Sequence, residues 1–299
     1  MFAPCFTPAG PAAFARDPAS SRQVWSAESG YPGDPAYRDF YRDVGYDAPP
    51  HHAFADSSDK TPRFTGLKYH RITGGQGPKQ IYRADWAEHV VQKHVEHFIA
   101  SRRQQLEELE TSVADPIIAM PFDAELFGHW WHEGPRFLEL LIRKMAAENA
   151  AMRLVTPSDY LAAHPRLEVV MPAASSWGEN GYWEVWLNPQ NAWIYPRLHS
   201  AARKMTEVAR LHASDPPVQI TRTLQQLTRE LLLAQSSDWA FLMKTGTARE
   251  YAVSRVEAHL MRFERLYEQL KRGAIDEAFL CECESRDNLF PHVDWRQYL

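Results

Sequence analysis

The sequence holds only three cysteines, Cys5, Cys281 and Cys283, in 299 residues. Three thiols cannot build a disulfide framework, and a lone C-x-C without a second pair is a poor zinc site, so all three are expected to be reduced. No stretch approaches the roughly 20 consecutive apolar residues of a membrane-spanning helix. The N-terminal run "MFAPCFTPAGPAAFARDP" is apolar but broken by proline and has no basic lead, which argues against a signal peptide. An excess of one charge is missing too: 33 Lys and Arg against 38 Asp and Glu leave −5, with no dense basic run, so nucleic-acid binding is not expected. There is no G-x-S-x-G elbow and no P-loop, and "GGQG" at 74–77 lacks the strand–turn–helix setting of a dinucleotide fingerprint. These absences leave a cytoplasmic protein as the expectation, 44% apolar and 24% charged, long enough for one large or two medium domains.

What is plentiful is aromatic. Ten Trp and 12 Tyr are many for this length, and several stand beside Gly, Asn, Asp or Ser rather than in periodic apolar faces. Rings set in polar loops suit a sugar, whose C–H faces stack while its hydroxyls seek polar partners; filling of an ordinary core is the alternative for most of them.

Residues 1 to about 80 are irregular, rich in Pro and Gly, with one candidate strand at "TGLKYHRI". From Asp85 the pattern turns helical, with Trp86, Val90, His94, Phe98, Arg102, Leu106 and Leu109 near helical spacing. "DPIIAMPF" then reads as a short buried parallel strand, and Pro135 opens a helix whose apolar face is Phe137, Leu138, Leu141, Ile142 and Met145. "LEVVM" at 167–171 is a second short strand. Helix, strand, loop and helix make an α/β pattern, for which a barrel is one solution. Three helices follow, marked by Leu198, Ala201, Met205 and Val208, by Leu224, Leu227, Leu231 and Ala234, and by Val256, His259, Leu260, Phe263, Tyr267 and Leu270. The spacing thus places α/β structure in 1–172 and an α-helical domain in 173–299.

In parallel α/β folds, residues just past the carboxyl end of a strand face the catalytic side. Asp123 and Glu125 stand there in "PFDAELFGHWWHEG", and period-two alternation would point both the same way. Pattern alone allows either an active-site lip or a turn cap with space-filling tryptophans. "SSWGENGYWEVWLN" repeats the chemistry with Trp177, Trp183 and Trp186, as a sugar platform or an apolar plug; at least one of Trp183 and Trp186 should be exposed. His89, His94 and His97 share a helix, and His51 and His52 a loop, but no acidic ligand set accompanies either group, so metal binding is not expected.

"FDAELFGHWWHEG" resembles the fourth signature region of glycoside hydrolase family 57, and "SSWGENGYWEVWLN" the fifth. "VWSAESGYPGDPAYRDFYRDVGYD", "GLKYHRITG" and "LLLAQSSDWAFLMKTGT" resemble that family's α-glucan branching enzymes. The likeness runs over essentially the whole chain. It implies a partial seven-stranded (β/α) barrel followed by a helical C-terminal domain, and retaining transfer of an α-1,4-linked glucan such as amylose or glycogen to an α-1,6 position. By motif, Asp123 matches the general acid/base, with burial among Trp and Phe expected to raise its pKa. Trp177 and Trp186 match glucan-contacting rings, Trp25 resembles a donor-site aromatic, and His129, Trp130 and Asp238 fall in matching motifs as pocket-lining residues. Glu125 would tune or orient the acid. The family's nucleophile Glu and an early His signature match nothing in this chain, and Glu28 stands in a different motif. The resemblance therefore implies the C-terminal portion of such an enzyme, inactive alone, with a separate N-terminal polypeptide able to complete the barrel. No cofactor or metal is implied. The alternatives are a silent glucan-binding module, or an α-amylase or 4-α-glucanotransferase of the same family.

Overall fold

A computed structural model of the chain describes residues 2–74, 78–147 and 152–299; most of "GGQG" lies outside the described residues. The chain divides into two compact units, Met1–Pro172 and Ala173–Leu299.

The first unit opens with β1 (Cys5–Phe6) and β2 (Ala12–Ala13), antiparallel, Cys5 opposite Ala13 and Phe6 opposite Ala12. α1 (Pro18–Trp25) starts where physical chemistry favours it: Pro18 supplies a fixed φ without a wasted donor, and the Asp17 carboxylate accepts the Ser20 amide at 2.7 Å. Two single turns, α2 (Val44–Asp47) and α3 (Pro50–Ala53), precede the long α4 (Ala84–Leu109). α5 (Gly134–Ala147) and α6 (Pro157–Ala163) follow, the latter begun by a reciprocal Thr156–Asp159 capping box.

α4 buries Ala87, Val91, Val95, Phe98, Ile99 and Arg102; Phe98 and Arg102 belong to the stripe read off the sequence, but over the first three turns the buried row lies one residue further on and Trp86 is exposed. The small i, i+4 row of Ala87, Val91 and Val95 packs closely, whereas the Trp86 ring lies outside under the guanidiniums of Arg71 and Arg83, 5.8 and 5.3 Å from its centroid. On α5, Phe137, Leu141 and Met145 are buried as expected, but Ile142 is exposed.

The strands correct the sequence reading. Among the described residues the regular sheet is the β1–β2 pair alone. "DPIIAM" is extended but only half-buried, tied by one parallel bridge between Ala119 and Arg16 and by the Ile117 amide on the Phe2 carbonyl. "LEVVM" makes one parallel bridge from Val169 to Phe6, and Val169, Val170 and Met171 are exposed. "TGLKYHRI" contributes isolated bridges from Arg71 to Arg38 and from His70 to Ile81. Pro116, Pro121 and Pro172 bracket these runs, remove donors at their ends and leave too few residues to extend a ladder. A barrel is thus not seen in these residues.

The second unit is helical: α7 (Ile194–Leu211), α8 (Val218–Ala234), α9 (Ser237–Thr245), α10 (Arg249–Arg272) and α11 (Glu277–Arg286). α10 packs on α7, α8 and α9, and all the apolar stripe residues expected on the three long helices are buried. His259, expected on that stripe, sits at 0% exposure with Nδ1 2.7 Å from Glu230 and Nε2 3.0 Å from the Arg255 guanidinium. Arg262 reaches Asp287 at 2.9 Å, so Glu230, His259 and Asp287, whose ligating atoms lie within 4.8 Å of one another, are tied by two arginines. That arrangement is an ion-pair network rather than a cation cradle, since an Arg donates to it from each side. Burial, with the Glu230 carboxylate nearby, pushes the Cys283 thiol up to about 12, an inert thiol. No described helix is long and apolar enough to cross a membrane.

Leu227 is fully buried at the centre of this core. Leu227→Ala is expected to cost about 2–5 kcal/mol by urea unfolding; a loss well under 1 kcal/mol would contradict the packing described.

Candidate active site

The 123–134 loop is closed by its own backbone. Asp123 precedes a 3-10 turn, Ala124–Leu126, and the Leu126 amide donates to the Asp123 carbonyl at 3.2 Å. The His129 and Trp130 amides both donate to the Glu125 carbonyl, at 3.2 and 3.3 Å, and the Trp131 amide and carbonyl bond Leu126 and Gly128 at 2.8 Å each. Closure needs glycine at 134, because a Cβ there would stand 2.9 Å from the Phe127 Cα. Leu126 and Trp131 point inward, 5% and 1% exposed, where Trp131 meets Phe137 and Tyr37. Glu125, His129 and Trp130 therefore point out.

Asp123 is half-buried, and its carboxylate has no hydrogen-bond or ion-pair partner among the described residues. The deep burial among Trp and Phe expected from the sequence is absent, because Trp131, not Trp130, fills the interior. Glu125 is exposed and its side chain makes no contact that would orient Asp123. Trp130 is 48% exposed, with the Phe40 ring 4.2 Å away at 33°. His129 lies edge-on to both rings, 5.4 Å from each.

Trp25 ends α1 and is exposed. The turn after it folds back tightly: a Cβ at Gly33 would lie 1.9 Å from the Ala27 carbonyl oxygen, which explains "SAESGYPG". Tyr31 within that turn stacks on His94 at 4.5 Å and shares a 2.8 Å hydrogen bond with His97, and Tyr37 bonds His94 at 2.7 Å. Burial pushes both phenols up and His94 down, so this cluster is a neutral core edge.

In the second unit, Trp177 is exposed and Trp186 half-buried, the Trp186 indole N–H donating to the Trp177 carbonyl. Trp183 is exposed, as the spacing requires of one of the pair. Asn191, fully buried, donates to the Val185 and Ala240 carbonyls at 3.0 and 3.2 Å and so fixes this turn to α9. Asp238 is exposed in the first turn of α9, where it accepts from Ser236 at 3.1 Å and suits the positive helix end.

Comparison with known proteins adds the decisive observation. Residues 197–298 match the family described as 1,4-alpha-glucan branching enzyme, C-terminal. A 1,4-alpha-glucan branching enzyme of Thermococcus kodakarensis is 37% identical over 94% of this chain and 40% of its own length, and a probable one of Mycobacterium tuberculosis is 33% identical over 95% and 52%. The crystal structure of a GH57-type branching enzyme from Pyrococcus horikoshii superposes with TM-score 0.79 at 35% identity, covering 100% of this chain and 54% of that one. The chain is similar to family 57 branching enzymes over about half of their length, and its residues 197–298 to their C-terminal domain. An α-amylase from Thermotoga maritima is similarly close, TM-score 0.77 and 40% identity over 99% of this chain and 56% of that one. The chain spans about half the length of the curated branching enzymes it matches.

The sequence motifs do not single out two residues of the loop's surroundings, Phe40 and Glu133. Phe40 was hidden in "YRDFYRD", and Glu133 in "HWWHEG" reads as a solvated acid until its burial is seen. Glu133 is 6% exposed and accepts the Arg38 amide at 3.1 Å through Oε1, while Oε2 has no partner. Burial raises its pKa, only partly opposed by the Arg38 amide and the Tyr82 hydroxyl.

A raised acid pKa in the fold gives stability that is present below the unfolded value of 4.5 and lost as pH rises through the folded one. The Tm of the wild type relative to Glu133→Gln is therefore expected to fall as pH rises above 4.5 and through the raised pKa of the folded carboxyl. A pH-independent difference in thermal melts would contradict a buried, proton-favouring carboxyl.

Proposed function

We propose that residues 1–299 carry the acid/base and glucan-contacting portion of a retaining 1,4-α-glucan branching enzyme. The observation that carries this reading is the likeness, across both units, to the Pyrococcus horikoshii branching enzyme at 35% identity over 100% of this chain. A related branching enzyme of Thermococcus kodakaraensis, TM-score 0.78 and 33% identity, has been crystallised in complex with glucose, which supports a sugar ligand.

The chemistry follows from the side chains. Asp123, unpaired and half-exposed, can give a proton to the oxygen leaving an α-1,4 bond and take one from the incoming 6-hydroxyl of an acceptor glucan. Retention needs a second carboxylate about 5–5.5 Å from the first, attacking the anomeric carbon. That role belongs, by resemblance, to a Glu outside the motifs this chain carries. Exposed Trp25, Trp130 and Trp177 offer faces for pyranose rings, and the Trp186 indole N–H holds the Trp177 carbonyl. His129 would line the site beside Trp130. For Asp238, the Ser236 bond at the start of α9 supports a role in shaping that turn. The extended "DPIIAM" and "LEVVM" runs, the first half-buried and the second with Val169, Val170 and Met171 exposed, have open edges and fit strands of a partial (β/α) barrel that an N-terminal polypeptide completes.

A second reading is favoured by one finding: the Thermotoga maritima relative at 40% identity is an α-amylase. Water rather than a glucan hydroxyl would then accept the glycosyl group.

Proton NMR of amylose incubated with the protein separates the readings. Residues 1–299 alone are expected to give almost no new α-1,6 anomeric signal, and addition of a polypeptide bearing the nucleophile Glu should produce it, with Asp123→Asn removing it again by about 100-fold or more. New reducing ends without α-1,6 signal would instead establish hydrolysis, and full-rate branching by residues 1–299 alone would overturn the shared-nucleophile reading. Retardation in glycogen-containing gels should weaken about threefold to tenfold in Trp177→Ala.

A further inference from the structure

Glu133 poses an energetic question that the acid/base chemistry does not answer. A carboxylate at 6% exposure with one oxygen unpartnered is costly, and a Gln or Met would fill the space more cheaply. Its Oε1 accepts the Arg38 amide, at 3.1 Å and 95 residues distant in sequence. Two residues on from Arg38 is Phe40, whose ring lies 4.2 Å from Trp130 and 5.4 Å from His129. The same short segment is held from its other side by Lys79, 2.6 Å from Asp39, and by the Lys68 ammonium on the Phe40 carbonyl and 4.9 Å from its ring.

We propose that Glu133 is a positioning residue: by pinning the 38–42 segment to the 123–134 loop it holds Phe40 against Trp130 and so sets the orientation of the exposed ring that meets the glucan. The naming of the ligand as glucan rests on the function proposed above; the coupling of Glu133 and Phe40 to Trp130 does not. A half-exposed indole has several rotamers open to it, and a ring stacked on one face removes most of them. When ionised, the buried carboxylate makes a charge-assisted bond to the Arg38 N–H, stronger than a neutral one. The raised pKa of Glu133 agrees with a carboxyl held for its contacts at some expense to the fold.

The test uses the full chain with 5-fluorotryptophan at every Trp position and the Trp130 resonance assigned by Trp130→Phe. Phe40→Leu and Glu133→Ala should each shift and broaden the Trp130 fluorine signal and leave those of Trp177 and Trp186 in place. Glu133→Gln, which keeps an acceptor for the Arg38 amide, should return the signal to its wild-type position. A Trp130 signal unmoved in folded Phe40→Leu protein, or not rescued by Gln, overturns the proposal; Phe40→Leu decides alone if Glu133→Ala does not fold. Maltoheptaose is then titrated. It should move Trp130 in the wild type, with the Kd raised about threefold to tenfold in Phe40→Leu. Maltoheptaose that moves no tryptophan in the wild type would defeat the glucan reading, while the variant spectra would still decide the positioning role.

Discussion

Trp131 and Trp130 are neighbours in sequence and opposites in the structure: the first is buried to 1%, the second stands 48% exposed. Burying an indole of this size is worth about 4–6 kcal/mol of transfer free energy, against roughly 2 kcal/mol of length-dependent entropy for closing a loop of about 12 residues. The inward ring therefore decides the loop. Once Trp131 is anchored on Phe137 and Tyr37, the backbone bonds from Leu126, Gly128 and Trp131 leave Asp123, His129 and Trp130 on the outer face. Gly134 makes that closure sterically possible. The carboxyl at 123 is unpaired and half-exposed as a consequence of how its neighbours pack, without any special contact of its own.

The helices were readable because their apolar spacing and their burial obey the same geometry. In the second unit the stripes on α7, α8 and α10 are buried throughout. In the first unit the pattern on α4 holds at Phe98 and Arg102 but is one residue off over the first turns, since a large ring at Trp86 outweighs the smaller Ala87, Val91 and Val95 in the pattern, although small side chains pack closer. The strands were less legible. An apolar run such as "IIAM" states that its residues prefer burial, but a sheet also requires neighbours to receive each backbone N–H and C=O. Here those neighbours amount to one bridge at Arg16 and one amide hydrogen bond to the Phe2 carbonyl.

The candidate site divides along similar lines. Asp123, Trp25, Trp177 and Trp130 could be picked out because aromatic and acidic residues in Gly-bearing loops are conspicuous and the motifs carry a family likeness. Phe40 and Glu133 could not, because their significance lies in contacts across 90 residues of chain, Phe40 to Trp130 and Arg38 to Glu133. His259 shows the same limit in the second unit: it sits on an apolar stripe, yet it is bonded at both nitrogens to Glu230 and Arg255. A one-dimensional pattern reports which side of a helix is buried, not what polar group is waiting there.

Because the packing of Trp131 is what turns Asp123 and Trp130 outward, the most direct check is a crystal structure of the protein soaked with a linear α-1,4 glucan. The account predicts a pyranose ring in van der Waals contact with Trp130 and a glycosidic oxygen within about 2.6–3.2 Å of the Asp123 carboxylate. Sugar bound elsewhere, with Asp123 drawn into an ion pair or remote from any glycosidic oxygen, would contradict it.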